Sequence, residues 1–145
     1  MAPHDSTKGY AAVRAHIVDR NMVLLARSLK RDNTWTTFGG KPENNESVEE
    51  TLARELREEL GIQALVYERL ADRTETWDGT PSRVAVFAVT RWEGELTNRA
   101  THEHSEIRWF DSSGLESTTL TPAAMAEAVA LVGRRMQIKE AERAE

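Results

Sequence analysis

Apolar positions change their period along this chain, and the changes mark its elements. From Tyr10 to Val18 they alternate weakly in a stretch rich in Ala and Val, and Met22 to Ala26 is a compact apolar run. The polar tripeptide Asp19-Arg20-Asn21 between them predicts a hairpin turn. A polar loop over residues 28–34 leads into Trp35-Thr36-Thr37-Phe38-Gly39-Gly40. From Ser47 the period becomes helical: Val48, Leu52, Leu56 and Leu60 recur every four residues, with Ala53 beside them. Ser47 with Glu50 makes a capping box and Gly61 a natural stop. Leu65 to Leu70 and Arg73 to Trp77 read as extended, residues 77–82 as turn-rich, and Arg83 to Trp92 as the strongest strand. Glu93 to Glu95 turns again, residues 97–105 form a polar loop, and Glu106 to Phe110 is a short strand. A last helix starts near Thr121-Pro122, with proline favourably in the first turn, and runs through Met136. Strands with one central and one C-terminal helix predict a layered α/β fold.

Composition narrows the function classes. The chain has 145 residues, 39% hydrophobic and 30% charged, which suits a single domain with a real core. We expect that domain to span residues 1–145, with 1–8 and 138–145 as flexible tails or a solvated helix end. The net charge of -5 argues against general nucleic-acid binding, which wants a basic face. The chain has no cysteine, so disulfides, thiolate metal sites and cysteine nucleophiles are excluded. The first residues lack the apolar core of a signal peptide, and no apolar run approaches the roughly 20 residues of a membrane span. The expectation is a soluble, cytoplasmic domain with no membrane partner.

The candidate chemistry lies in residues 54–61, Arg-Glu-Leu-Arg-Glu-Glu-Leu-Gly. On a helix Glu55, Glu58 and Glu59 fall within roughly 100° of one another, with Glu59 at the edge of the buried leucine stripe. Like charges at that spacing repel by a few tenths of a kcal/mol per pair. Read alone, the run is a solvated acidic face that Arg54 and Arg57 could neutralise. Partly shielded, the same carboxylates suit a hard divalent cation such as Mg²⁺ or Mn²⁺.

What decides between these readings is the spacing upstream. Gly40, Glu46 and then Arg54-Glu55-Leu56-Arg57-Glu58-Glu59-Leu60-Gly61-Ile62 stand in the register of the Nudix box, and the chain resembles the Nudix hydrolase family, in particular its MutT-like branch. The resemblance implies an α/β/α sandwich with a mixed sheet, a central Nudix helix and a C-terminal helix. It implies a Mg²⁺-dependent hydrolase, with Mn²⁺ as a substitute, that cleaves a pyrophosphate bond in a nucleoside diphosphate linked to a further group. The partner is then a small-molecule nucleotide, most simply a nucleoside triphosphate, standard or oxidised, cleaved to monophosphate and pyrophosphate. Nucleotide sugars, ADP-ribose and dinucleoside polyphosphates are rivals within the class. A nucleotide-sensing module without catalysis is the rival outside it, although such a module has no need of the complete carboxylate set. Homodimers are frequent in the family, but no feature of this sequence identifies an interface.

Carried over position by position, Glu58 and Glu59 resemble the metal ligands, joined by Glu55 and by the backbone carbonyl of Gly39 or Gly40. Arg54 resembles the residue that orients Glu55 through an ion pair, and Glu46 the supporting carboxylate. The family draws its general base from the box, here Glu55, or from a later loop, here Glu103 or Glu106. Lys41 and Arg27 are candidates for substrate phosphate, with a surface ion pair as the plainer reading of Arg27. Trp35, Phe38, Trp77 and Trp109 are candidates to stack a base, although an aromatic in a strand is more often core. Trp35 stands out because it precedes the box in a loop, and residues 35–41 resemble MutT-like segments; Thr36 stands where some of those enzymes carry a base-reading Asn. His102-Glu103-His104 resembles a chelating pair, yet Mg²⁺ does not seek imidazole.

Overall fold

The computed structural model describes residues 9–32 and 34–144, with side chains among them except at position 77 and from 134 onward. The expected tail at 1–8 lies outside the described residues, whereas 138–144 continue a helix. The chain divides into two compact units: one holds residues 1–15 and 38–99, the other 16–37 and 100–145. Strand β1 (Tyr10–Asp19) passes from the first into the second.

In the first unit, the opening half of β1 pairs antiparallel with β4 (Phe38–Gly40), matching Val13 to Gly40 and Arg14 to Gly39. Helix α1 (Val48–Leu60) packs on this unit's strands. Its leucine stripe is buried as the period requires, with Leu52, Leu56 and Leu60 at 1% exposure or less. Both halves of the capping box form: Ser47 Oγ accepts from the Glu50 N–H at 3.0 Å, and the Glu50 carboxylate accepts from the Ser47 N–H at 2.9 Å. Gly61 ends the helix in the left-handed region, φ 71°.

Beyond it β5 (Gln63–Trp77) and β6 (Thr80–Glu93) form one long antiparallel hairpin. The two short strands expected at 65–70 and 73–77 are therefore one, whose register slips near Val66 and Leu70. Local bulges interrupt the side-chain alternation there without ending the ladder, and a pattern-based reading takes that interruption for a break. The expected six-residue turn shrinks to Asp78-Gly79, both with positive φ, the pairing suited to a tight hairpin. Val84 to Val89 are buried without alternation, which marks β6 as an interior strand. Across β1, β5 and β6 the Tyr10 hydroxyl donates to Asp72 at 2.7 Å and accepts from Arg69 and Arg83, each at 2.8 Å.

In the second unit, the end of β1 and β2 (Met22–Ser28) make the expected hairpin, with Asp19 opposite Met22. Strand β2 is flanked by β3 (Trp35–Thr36) and by β7 (His104–Phe110). A short helix α2 (Ser112–Glu116), capped by Asp111, was not legible in the periodicity because five residues carry too little of it. Helix α3 (Pro122–Ala144) begins at the expected proline and buries Ala124, Ala128, Leu131 and Val132. His16 of β1, fully buried, meets Glu127 of α3, with Nε2 and Oε1 at 3.0 Å. Among the described residues no helix is long and apolar enough to cross a membrane.

Candidate active site

The box residues all belong to the first unit, and α1 sets their directions. Glu59 lies on the buried side, 4% exposed, and its carboxylate accepts the Gly39 N–H at 2.9 Å. Glu58 points out, with a side chain 57% exposed, and Glu55 lies between them at 15%. Gly40 lets the helix come this close to β4, and Gly39 lets β4 come close to β1. Gly39 has φ 138°, and a Cβ there would overlap the Val13 carbonyl. A Cβ on Gly40 would overlap the Glu55 carboxylate.

One guanidinium ties this face to the loop before it. Arg54 grips Glu46 with two bonds, Nε to Oε2 at 2.7 Å and Nη2 to Oε1 at 3.1 Å. Its Nη1 donates to Glu55 at 2.9 Å and to Glu58 at 3.3 Å, and Nη2 also reaches the Lys41 carbonyl at 2.9 Å. Sequence reasoning assigned Arg54 to Glu55; the structure has it span Glu46 and Glu55 together, with Glu46 the better-bonded partner. The hydrogen bonds from Arg54 hold the Glu46 carboxyl down at about 2, well below its ordinary 4.5, against the opposing effect of burial. The same contact with Glu46 raises the Arg54 pKa. Arg57, by contrast, is exposed.

Glu46 takes two further donors that the sequence reading did not assign. Its Oε1 accepts the Glu43 N–H at 2.8 Å and the Thr51 hydroxyl at 2.9 Å. The one available signal was a hydroxyl residue five positions beyond Glu46, inside the first turns of a helix whose start was already known. Lys41 has an exposed side chain, and its carbonyl is the part engaged with Arg54. Phe38, a candidate for base stacking, is fully buried and has no face to offer. Its place in β4 alternates with the glycines, so its ring belongs to the core. The side chain of Trp77 lies outside the described residues.

The remaining candidates belong to the second unit. Trp35, Arg27 and Glu106 occupy one row across β3, β2 and β7. Arg27 pairs with Glu106 at 3.4 Å, so the plainer reading of Arg27 describes what the structure holds. Arg108 donates to both oxygens of Glu106, at 3.2 and 3.0 Å, and lies 5.0 Å over the Trp35 ring. Trp35 also packs edge-on against Phe110, centroids 4.8 Å apart. Trp109 is half-buried. Glu103 faces only the flexible, exposed Lys30 among its described ion pairs, at 3.5 Å. Of the two histidines flanking it, His102 is exposed and His104 buried.

These positions coincide with those of a known domain type, since the family model described as the NUDIX domain matches residues 9–132. The chain belongs to the Nudix family. It is 34% identical over 115 residues to a CTP pyrophosphohydrolase of Escherichia coli, covering 77% of this chain and 83% of that protein. It is 35% identical over 81 residues to an 8-oxo-dGTP diphosphatase of Proteus vulgaris, covering 54% and 72%. The solution structure of the E. coli ORF135 protein superposes with a TM-score of 0.68 at 33% identity, over 92% of this chain and 93% of that one. The protein is therefore a Nudix hydrolase acting on pyrophosphate bonds, with the family's α/β fold.

Nudix hydrolases generally use a divalent metal, and the site's donors fit one. Carboxylate and carbonyl oxygens are what a hard cation takes, and the bare Cα of Gly40 leaves room for the Glu55 carboxylate beside the backbone.

Proposed function

We propose that the protein is a Mg²⁺-dependent nucleoside triphosphate pyrophosphohydrolase, releasing a monophosphate and pyrophosphate. The observation that carries this reading is the Arg54 bridge between Glu46 and Glu55 on a helix that also presents Glu58 and Glu59. A helix does not gather three carboxylates and immobilise one of them from behind for solubility alone. The triphosphate is favoured because relatives with a third or more of their aligned residues identical are named for CTP and 8-oxo-dGTP.

In this reading Glu55, Glu58 and Glu59 hold the cation together with a carbonyl of Gly39 or Gly40. A divalent cation held there would supply charge to neutralise phosphate oxygens and to activate a water. Each residue then has a distinct task. The Gly39 N–H keeps Glu59 aimed inward, Arg54 keeps Glu55 in place, and the Lys41 side chain offers a positive charge to the phosphates. Glu106 has its oxygens engaged by Arg27 and Arg108, which counts against it as the general base. Water adds to one phosphorus of the α–β bridge as its bond to the bridging oxygen breaks, giving monophosphate and pyrophosphate, so catalysis is chiefly positioning and charge stabilisation.

The test is a panel of CTP, 8-oxo-dGTP, ADP-ribose and a diadenosine polyphosphate, with Mg²⁺ and with chelator, reading the nucleotide products by anion-exchange chromatography together with pyrophosphate. Pyrophosphate release from a triphosphate is expected, and Glu59→Gln should lower it by about a hundredfold or more. Release from no nucleotide, or undiminished release with chelator, refutes the proposal.

A further inference from the structure

We propose that Thr51 is a positioning residue of this site, acting through Glu46 and Arg54 on Glu55; the inference rests on the hydrolase reading above. Thr51 has no solvent exposure, and its hydroxyl lies 2.9 Å from Glu46 Oε1 and 3.1 Å from the Ser47 carbonyl. A carboxylate offers about four lone-pair sites. On Glu46 the Arg54 fork, the Glu43 N–H and the Thr51 hydroxyl supply four donors. Three of these donors meet Oε1 and one meets Oε2, so Glu46 is held by protein and serves as an anchor.

The four donors have different duties. The Arg54 fork pairs with the carboxylate in its own plane, but a fork and a carboxylate can turn together about their common axis. Thr51 and the Glu43 N–H add two donors on Oε1 beyond those of the fork, and so resist that turn. Thr51 does so from α1 itself, the helix that carries Arg54 and Glu55. With the plane fixed, Arg54 Nη1 has one direction, towards Glu55 Oε1 at 2.9 Å. The hydroxyl therefore refers the loop before the helix to the helix, and Glu55 gains a defined orientation before any ligand arrives.

The experiment compares Thr51→Val, which keeps the shape, with Thr51→Ser, which keeps the hydroxyl, in the wild-type and Glu46→Ala backgrounds. Turnover of CTP with Mg²⁺ and binding of Mn²⁺ by calorimetry are the readouts. Because the hydroxyl acts on Glu55 only through Glu46 and Arg54, part of the worth of one hydrogen bond reaches the ligand, and Thr51→Val lowers kcat and weakens Mn²⁺ binding by about threefold to tenfold. KM for nucleotide stays within about twofold. Thr51→Ser restores both, and in Glu46→Ala the valine has no further effect, because the hydroxyl has lost its acceptor. Equal losses in both backgrounds, no loss at all, or serine no better than valine overturns the inference. A wild-type protein that binds Mn²⁺ but hydrolyses no nucleotide sinks the hydrolase reading, and the Mn²⁺ comparison still decides the role of Thr51. Absence of Mn²⁺ binding by the wild type overturns both.

Discussion

Arg54→Met removes the guanidinium while keeping most of the apolar stem, and its cost can be worked out from the contacts. The gap between 4.5 and about 2 for Glu46 corresponds to about 3 kcal/mol of preferential stabilisation of the charged carboxylate. The side chains of Arg54 and Glu46 are 17% and 16% exposed, so some solvent screening remains and about 2 kcal/mol is a fair share. The Lys41 carbonyl adds about 1 kcal/mol. Glu58, at 57% exposure, contributes nothing that we count. The sum is about 3 kcal/mol at pH 7, which lowers Tm by roughly 10 °C for a domain of this size.

The same origin sets a pH signature. The folded-state pKa of Glu46 lies below its ordinary value, so the contribution is complete above pH 4.5 and disappears as pH falls through about 2. By pH 3 less than half of the charge-dependent share should remain. Urea unfolding of both proteins at pH 7 and pH 3, followed by tryptophan fluorescence, measures this directly. A penalty as large at pH 3 as at pH 7 would show that pH-independent contacts such as the one to the Lys41 carbonyl, not the ion pair, are responsible. A penalty below about 1 kcal/mol at pH 7 would refute the account altogether.

Two further substitutions probe other contacts. Gly40→Ala sets a methyl against the Glu55 carboxylate, and should cut hydrolysis by about tenfold or more while costing about 1–3 kcal/mol by urea unfolding; near-normal kinetics would mean that α1 can retreat without loss. Glu127→Ala leaves the buried His16 Nε2 without this acceptor and should cost about 1–3 kcal/mol. A thermal melt unchanged within 1 °C would mean that the pair holds nothing.

The legible part of this protein was its local part. Helix α1, its capping box and its glycine stop depend on residues at most five apart, so their spacing already contains the geometry. The hairpin at β1 and β2 and the start of α3 were legible for the same reason. Strand β5 was misread as two because bulges disturb alternation, and a ladder is held by the partner strand, which the local pattern does not show. Helix α2 was too short for any periodicity, and Phe38 read as a possible platform until its strand turned it into the core.

By itself, then, the sequence determined the register from which the proposed site is drawn: glycines, one arginine and four glutamates around a helix of known phase. The tertiary structure decided which of those groups hold one another. Glu59 meets the Gly39 amide across twenty positions, and Arg54 gives its strongest bonds to Glu46 rather than to its neighbour Glu55. Thr51 meets Glu46 only because the loop before α1 brings that carboxylate to its hydroxyl. Helix phase is a property of the local backbone and can be counted along the chain. Hydrogen-bond partnership across a loop depends on packing and burial, which no local count contains.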